Sequence, residues 1–418
     1  MANIAIIGGG VAGLTAGYSL SRDNDVTLFE KSGRIGGNAY SHTTKDGDVL
    51  DIAVAAFGRA GYKNFYALLD ELGIPTARAS DSYMSFHDLE RHTGIYVSPN
   101  MRGLIAQNFQ LLKPRSWSNA FLMLRGLKRA QALLDRGALR GLTLEQAFAQ
   151  LPEFSGDVRL VFLCTLCLLS SMSAPEILCT PAEFFFNKLK VHNDVISIKA
   201  FYSVRCVSKG TQSYVNALAA GFRKNIVLNA DVASVRREGN RVQIRDSAGH
   251  TQVFDKVVFA CPAPTALRLL EAPTDDEKRL LSAWKYKSSR LVVHRDHSAF
   301  PERSLMQAYT FLYTQKNGVL ETSVNGALWH EPQVRKDCDY ISSQHPNFPI
   351  RDELVEFETT LWTPIFDFES ISTIAHLPSL NGVKNTFYCG SHFGFGLHED
   401  AVTSALQVVD VLGRRSAA

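Results

Sequence analysis

The sequence predicts an α/β protein with a parallel sheet of the dinucleotide-binding type and a second, discontinuous α+β unit. Three observations support this prediction. A glycine-rich turn separates a short apolar run from a helical pattern near the N-terminus, a mainly helical stretch occupies residues 100–172, and short β-rich segments follow residue 223. At 418 residues the chain is too long for one ordinary core, so about two or three structural units are expected.

Composition argues against several classes of protein. Hydrophobic residues make up 45% of the chain and charged residues 20%, and the net charge of +3 gives no support to nucleic-acid binding. Seven cysteines, an odd number, argue against a disulfide framework and favour a reducing, cytoplasmic location. Cys164 and Cys167 form a close pair, but no second ligand pair follows, so we expect buried core thiols and no metal site.

The first 30 residues predict the opening of a parallel sheet. A β-branched run at 3–7, a glycine turn, a helical pattern at 12–20 and a second apolar run at 26–29 give strand, turn, helix and strand. A helix over 65–72 should end at Gly73. Segments 226–230, 231–237, 241–246 and 255–260 predict a β meander, and a terminal helix over 399–412 should be capped by Gly413.

The glycine turn carries a GxGxxG motif directly between strand and helix, formed by Gly8, Gly9, Gly10, Val11, Ala12 and Gly13. Gly8 permits the tight turn, Gly10 lets the backbone approach a pyrophosphate, and Gly13 allows close helix–strand packing. Glu30 ends the second strand, where its carboxylate can accept both ribose hydroxyls and would repel a 2′-phosphate. NADP is therefore disfavoured, while NAD and FAD both fit.

Residues 33–38 read GRIGGN, and this resembles the R-x-G-G element of the amine-oxidase and phytoene-desaturase superfamily of flavoproteins. The resemblance implies a Rossmann-type FAD-binding domain in which the backbone around the paired glycines contacts the FAD diphosphate. The segment 51–58 resembles the stretch that runs beside the flavin in those proteins. The cofactor-binding residues implied by these two elements are Lys31, Arg34, Gly36, Gly37, Asn38, Val54 and Ala55.

Two segments near the C-terminus, 389–391 and 396–401, resemble the closing motif of the same superfamily. The resemblance implies that Gly390 and Ser391 reach the pyrophosphate and that the amide of His398 or Glu399 faces the flavin. A helix N-terminus is physically suited to the negative charge that a reduced flavin carries near N1 and the C2 carbonyl. Val232 falls where relatives hold the adenine. Three motifs in family order make FAD the predicted cofactor.

Further segments resemble a narrower group of bacterial amine-oxidase-like proteins. They are SYMSF at 82–86, PAEFFFN at 181–187, KGTQSYV at 209–215 and CGSHFGFGLHED at 389–400. That group is linked to cyclopropane- and furan-fatty-acid enzymes and to fatty-acid double-bond isomerases. The resemblance implies an apolar small-molecule substrate, with fatty-acyl and carrier-bound compounds as candidates. It weakens between residues 284 and 363, so the substrate itself stays open.

His392 and His398 are the candidate catalytic residues, because the closing motif brings them near the flavin, where either could act as a general base. A purely structural role in the cofactor shell is an equal alternative. The leading function is an FAD-dependent oxidoreductase that desaturates or oxidises a C–H bond. A non-redox double-bond isomerase is the alternative, followed by an amine oxidase that uses Lys285 or Lys287.

The predicted FAD domain combines residues 1–60, 205–270 and 380–418, and the substrate domain combines 61–204 and 271–379. Within the second domain, a run of basic residues could meet a membrane surface, an anionic lipid or a carrier protein. A solvated helix face is the favoured interpretation, so peripheral membrane contact is not expected. The basic residues of this run are Lys113, Arg115, Arg125, Lys128, Arg129, Arg136 and Arg140.

Overall fold

The computed structural model describes residues 1–53, 56–58, 61–79, 84–97, 113–193 and 204–416. Strands and helices are numbered along this part of the chain. Its strands are β1 Asn3–Ile7, β2 Asp25–Phe29, β3 Ser41–Thr43, β4 Val49–Asp51, β5 Thr76–Arg78, β6 Met84–Asp88, β7 Gly94–Val97, β8 Arg205–Val207, β9 Ile226–Val227, β10 Val232–Glu238, β11 Arg241–Asp246, β12 Thr251–Phe254, β13 Lys256–Phe259, β14 Lys285–His294, β15 Tyr309–Lys316, β16 Val319–Ala327, β17 Ile341–Gln344, β18 Val355–Ile365 and β19 Thr386–Tyr388.

The α-helices of the same part of the chain lie between these strands. They are α1 Val11–Leu20, α2 Lys63–Glu71, α3 Pro114–Asp135, α4 Leu144–Phe148, α5 Gly156–Ser170, α6 Ala174–Cys179, α7 Ala182–Asn193, α8 Thr211–Ala219, α9 Ala263–Leu269, α10 Asp275–Ser282, α11 Phe368–Thr373 and α12 His398–Ser416. No helix among the described residues is both long enough and apolar enough to cross a membrane.

The first large sheet is five-stranded and parallel, in the order β19–β13–β1–β2–β9, and combines strands from both ends of the chain. Strand β1 is buried on both faces, and its side chains alternate between two cores. Ile4 and Ile6 pack with helices α1, α8 and α12, whereas Ala5 and Ile7 pack with the three-stranded sheet β10–β11–β12. This layered arrangement confirms the Rossmann-type prediction and leaves the carboxyl ends of the strands at one edge.

The predicted meander is partly wrong. Strands β10, β11 and β12 form an antiparallel sheet, but β9 and β13 belong to the parallel sheet, where they pair with β2 and β1. The third antiparallel strand is Thr251–Phe254, which the prediction omitted. Short apolar runs look alike in sequence whichever sheet they join, because their partners lie far away along the chain.

Two predicted helix ends have different outcomes. Helix α2 ends at Glu71 and Gly73 follows with φ +66°, as its sequence predicts. Helix α12 instead runs through Gly413 to Ser416, so the predicted cap at Gly413 is wrong. The conformation of Gly413 is helical because the chain does not turn there. A glycine caps a helix only where the backbone leaves it.

A seven-stranded mixed sheet forms the second large sheet, in the order β18–β14–β17–β16–β15–β6–β7. All its neighbouring strands are antiparallel except β15 and β6. Helices α5 and α6 contact β16 of this sheet, and α3, α4 and α7 pack on these helices and on one another. Phe162 and Phe184 lie in the same core as Phe311 and Val324. The sheet thus joins segments that are far apart in the chain. The domain bounds stay a prediction.

A buried ion pair fixes strand β19. This strand leads into residues 389–401, which carry the closing motif and are called the closing segment below. Arg237 of β10 and Glu277 of α10 are 2.5 Å apart, and their side chains are 5% and 1% exposed. The Tyr388 hydroxyl donates to the same Glu277 carboxylate at 2.6 Å. Because each charge is paired and hydrogen-bonded, the burial cost is offset and three elements are held together.

Candidate cofactor site

The glycine turn after β1 owes its shape to two contacts that exclude a side chain. Gly8 has φ +112°, and a Cβ there would lie 2.6 Å from the carbonyl oxygen of Ala260. A Cβ on Gly13 would lie 2.0 Å from the carbonyl oxygen of Gly8. Helix α1 can therefore begin at Val11 directly above the end of β1, with Val11 and Ala12 buried in its first turn. The helix N-terminus consequently faces the edge of the sheet.

Gly10 differs from these two glycines because it faces open space. A Cβ built at Gly10 would have no heavy atom of the described residues within 4 Å. The backbone has φ −73° and ψ 179°, which any residue adopts, so neither conformation nor packing requires glycine here. Close approach of a ligand to the backbone is the remaining physical reason for a glycine at this place.

The R-x-G-G element lies against the glycine turn. The Gly36 amide donates to the Gly9 carbonyl at 2.8 Å, and Gly36 pairs with Gly10 as an isolated parallel bridge. A Cβ on Gly37, which has φ +61°, would be 3.2 Å from the Gly10 Cα. Two motifs separated by more than 20 residues thus form one continuous backbone surface beside the N-terminus of α1.

Glu30 lies at the edge of this surface. Its carboxylate accepts from the Gly9 amide at 2.7 Å and from the amide of Ser32 at 2.8 Å. The Ser32 hydroxyl also lies 2.7 Å from the oxygen that the Ser32 amide contacts. The other oxygen, which accepts from Gly9, keeps a second lone pair for a ribose hydroxyl. The Ala230 amide donates to the Glu30 carbonyl at 2.9 Å, which brings the start of β10, and with it Val232, beside Glu30.

The other predicted contacts of this region have different surroundings. Arg34 donates to the Gly37 carbonyl at 2.8 Å and its guanidinium lies 4.1 Å from the centre of the Tyr40 ring. Asn38 donates to the Trp362 carbonyl at 3.0 Å, so its amide bridges to β18. Lys31 is exposed. Val54 and Ala55 lie outside the described residues.

Strand β19 brings the closing segment to the same edge of the sheet. The Cys389 amide donates to the Phe259 carbonyl at 3.0 Å, which keeps β19 in register with β13. The Gly390 amide donates to the Ser404 hydroxyl at 3.0 Å, and the Ser391 carbonyl accepts from the Gly396 amide at 3.1 Å. Since β13 alone separates β19 from β1, the two strands that lead into the glycine segments are two strand spacings, about 10 Å, apart.

The N-terminus of α12 is fixed from two sides. Asp400 accepts from the Leu397 amide at 2.8 Å, and Glu399 accepts from the amides of Asn64 and Phe65 at 2.9 and 2.8 Å. The Glu399 side chain thus caps α2 and is directed away from the closing segment. The first amides of α12 have no intrahelical acceptor, as in any α-helix, so they can serve a bound anion.

The two predicted catalytic histidines have apolar surroundings. His392 is 3% exposed, folds back over Gly390 and contacts Trp284 at 5.3 Å between ring centres. His398 forms a hydrogen bond to the Tyr214 hydroxyl at 3.1 Å. Burial lowers the pKa of each histidine to about 4, so both are neutral at pH 7. A base of that pKa is poorly matched to neutral conditions, and their catalytic role stays a prediction.

The sequence did not reveal a buried cation that contacts the closing segment from another helix. Lys188 of α7 is 4% exposed and its ammonium donates to the Phe395 carbonyl at 3.0 Å. Burial lowers its pKa to about 8, opposed by the charge of Asp400, and burial raises the pKa of Asp400 to about 6. At pH 7 both groups are therefore mostly charged. The clue was spacing, because Lys188 follows Phe184 by four residues and shares its buried helix face.

The lysines proposed from sequence have carboxylate partners elsewhere. Lys285 is 60% exposed and lies 3.1 Å from Asp367. Lys287 pairs with Glu176. Cys164 and Cys167 are buried in α5, and burial raises the pKa of Cys164 to about 12, which agrees with core thiols.

These features fit a dinucleotide with a diphosphate. The open side of Gly10, the glycine backbone of 36–37 and the N-terminus of α1 provide a concave surface of amides without side chains. Glu30 lies where a ribose would follow, and the closing segment brings a second helix N-terminus to the same edge.

Comparison with known proteins agrees with this geometry. A family model described as flavin containing amine oxidoreductase matches residues 11–323. None of the curated proteins matches the chain. Flavin is accordingly the cofactor. The residues that hold it stay a prediction.

Solved structures share the fold across nearly the whole chain. A CLA-producing fatty acid isomerase from P. acnes is 17% identical, with a TM-score of 0.67 over 99% of this chain and 98% of that chain. A cyclohexylamine oxidase from Brevibacterium oxydans is 14% identical, with a TM-score of 0.68 over 99% of both chains. A putrescine oxidase bound to putrescine has the same values. At these identities the likeness shows the fold alone.

Substitution of Gly10 by alanine should separate folding from cofactor binding. Gly10→Ala should fold, because its Cβ meets open space, but should weaken FAD binding at least about tenfold, equal to about 1.4 kcal/mol, because the Cβ fills the diphosphate cradle. Calorimetric titration of the apoprotein measures the affinity, and thermal unfolding checks the fold. Gly413→Ala, in the open face of α12, is the matched control. FAD affinity equal to wild type in Gly10→Ala would exclude this cradle.

Removal of the Glu30 carboxylate should weaken FAD retention. Glu30→Ala should lose about 1–3 kcal/mol of FAD binding, the range for charged hydrogen bonds, and Glu30→Gln should lose less because it keeps an acceptor. Asp25→Ala, at the exposed start of the same strand, should bind like wild type. The flavin-to-protein absorbance ratio after dialysis measures retention. If Glu30→Ala retains FAD fully, the ribose is held by other residues.

Lys188 should give the FAD-loaded protein a pH-dependent spectrum. Its pKa is lowered from 10.5 to about 8, so its proton leaves as pH rises through 8, and the visible flavin absorbance should change there. Because the unfolded chain binds the proton up to 10.5, this group should also make unfolding free energy rise between pH 8 and 10.5.

The control for this titration lies on the same helix. Lys188→Met should lack the transition near pH 8, whereas Lys190→Met, which removes an exposed lysine paired with Asp135, should retain it. A transition that survives unchanged in Lys188→Met would assign it to another group.

Proposed function

Since this chain belongs to the flavin containing amine oxidoreductases, we propose that it is an FAD-dependent enzyme that removes a hydride from a C–H bond of an apolar small molecule. Free or carrier-bound acyl chains are the proposed substrate class. Bound flavin supplies the two-electron acceptor for such a reaction. The protein's part is to bind and orient the substrate and to exclude water.

An apolar cleft beside the closing segment carries the proposal. It has a volume of about 320 Å³ and is lined by Pro175, Glu176, Cys179, Thr180, Ile365, Phe366 and Asp367. Phe366 belongs to this lining, and a Cβ on Gly396 would lie 2.8 Å from the Phe366 ring. The cleft therefore shares a wall with the segment that precedes α12. This position and lining suit an apolar chain whose end approaches the cofactor.

Aromatic side chains continue from the cleft wall into the interior. The Phe366 ring centre is 4.6 Å from that of Phe184 and 5.7 Å from that of Trp284. Phe395, whose carbonyl accepts from Lys188, lies 5.2 Å from Phe184. These rings exclude water around the closing segment and give a weakly polar surface, which favours aliphatic C–H groups over charged groups.

The lysines of this region do not favour an amine oxidase. Lys188 is a buried cation at pH 7, since its pKa is about 8, but the nearby Asp400 carboxylate offsets its charge. The lysines that an amine oxidase would use, Lys285 and Lys287, are paired with carboxylates. Desaturation and double-bond isomerisation use the same surface, and only turnover separates them.

Anaerobic mixing of the FAD-loaded protein with fatty acids, acyl carriers and amines tests this function. We expect an acyl compound to bleach the visible flavin band and to leave as a product two hydrogens lighter, because a hydride would pass to the bound flavin and a proton from the neighbouring carbon would pass to water. A product of unchanged mass with a shifted double bond, formed without lasting bleaching, would establish the isomerase alternative. Bleaching by amines alone would exclude the proposal.

A variant that narrows the cleft links turnover to its position. Cys179→Trp should lower kcat/KM for the acyl substrate at least about tenfold without reducing FAD content. This change corresponds to an increase of about 1.4 kcal/mol in the activation free energy. Val253→Trp, on the exposed surface of β12, is the control and should leave kcat/KM unchanged. Equal rates in both variants would show that substrate enters elsewhere.

A further inference from the structure

Helix α3 carries an apolar stripe that faces outward. Trp117, Phe121 and Leu124 are 68%, 64% and 38% exposed, and their spacing of four and three residues places them on one side of the helix. The opposite side is buried through Ala130 and Leu133 and anchors the helix to the core. Within the described residues, nothing covers the outer stripe, although two large aromatic side chains in water are unfavourable.

The same helix and the loop after it are strongly basic. Between residues 113 and 140 there are seven lysines and arginines and one acidic residue, Asp135. Lys128 continues the stripe one turn after Leu124. Among the described residues, no carboxylate lies within 4 Å of the side-chain nitrogens of Lys113, Lys128, Arg136 or Arg140. These four cations are therefore available to an external partner.

The three remaining basic residues are held by carboxylates. Arg115 pairs with Asp157 at 2.8 Å, and Arg125 and Arg129 lie 3.2 and 3.6 Å from Glu153. Their side chains are still 78%, 62% and 47% exposed, so they add to the positive potential of the surface while the pairs hold their orientation. The result is a rigid helix with an aromatic stripe bordered by cations.

We propose that this face of α3 docks on an anionic lipid bilayer. Tryptophan and phenylalanine insert at the boundary between headgroups and acyl chains, and flanking lysines and arginines contact anionic headgroups. A second copy of the chain is a poorer occupant, because an isologous contact would bring two clusters of like charge together. From the sequence, a solvated helix face is the favoured interpretation of the basic residues alone. The exposure of Trp117 and Phe121 on the same helix favours membrane contact instead.

Vesicle binding by the FAD-loaded protein tests this surface and does not depend on the proposed reaction. Wild type should sediment with vesicles of phosphatidylcholine and phosphatidylglycerol, at least tenfold more tightly than with phosphatidylcholine alone, and less as salt rises. Trp117→Ser with Phe121→Ser should lose binding at least tenfold, as should Lys128→Glu with Arg136→Glu and Arg140→Glu. Flavin content identical to wild type shows that these surface variants fold.

The matched control removes two exposed aromatics elsewhere. Trp362→Ser with Phe368→Ser, whose side chains are 57% and 43% exposed in the wild type, should bind vesicles like wild type. Brominated acyl chains should quench Trp117 fluorescence if the stripe enters the bilayer. The proposal is overturned if wild type does not bind vesicles. It is also overturned if the double serine variant of α3 binds them as tightly as wild type does. It is equally overturned if wild type forms a dimer that this variant dissolves, or binds an acidic carrier protein but no vesicles.

Discussion

The contact between Gly13 and the Gly8 carbonyl is the constraint on which the cofactor site depends. Because no Cβ separates them, helix α1 starts directly over the carboxyl end of β1 and directs its N-terminus at the edge of the parallel sheet. The same closeness lets Gly36 pair with the turn and leaves Gly10 open. Helix α12 then packs on α1, which aligns a second helix N-terminus with the first. A methyl group on Gly13 would displace α1 and so disturb all of these contacts.

The closing segment owes its position to contacts from several parts of the chain. Strand β19 is held in register by β13 and anchored by the buried pair of Arg237 and Glu277. Glu399 binds α12 to the first turn of α2, and Lys188 reaches in from α7 to the Phe395 carbonyl. The segment is therefore preorganised, and a buried cation, an acid of raised pKa and aromatic rings form its surroundings. Such an environment holds charge and excludes water.

The two units of the molecule meet at surfaces with different polarity. Amides, glycines and one carboxylate form the cofactor edge, whereas Phe184, Trp284 and Phe366 form the apolar side. A hydride acceptor and an aliphatic substrate need these opposite environments next to each other. The outward stripe of α3 lies on the helical layer that packs against the second sheet. Contact of α3 with a membrane would bring apolar compounds in the bilayer close to the unit that contains the cleft.

The sequence alone determined the elements whose physics is local. The strand, glycine turn and helix at residues 3–20, the position of Glu30 and the end of α2 before Gly73 follow from periodicity, side-chain absence and backbone conformation within a few residues. The tertiary structure decided which sheet β9 and β13 join, that Lys188 rather than Lys285 or Lys287 is buried beside the closing segment, and that the Glu399 side chain caps α2. These outcomes depend on groups far apart in the chain, whose desolvation and pairing exist only after the chain has folded.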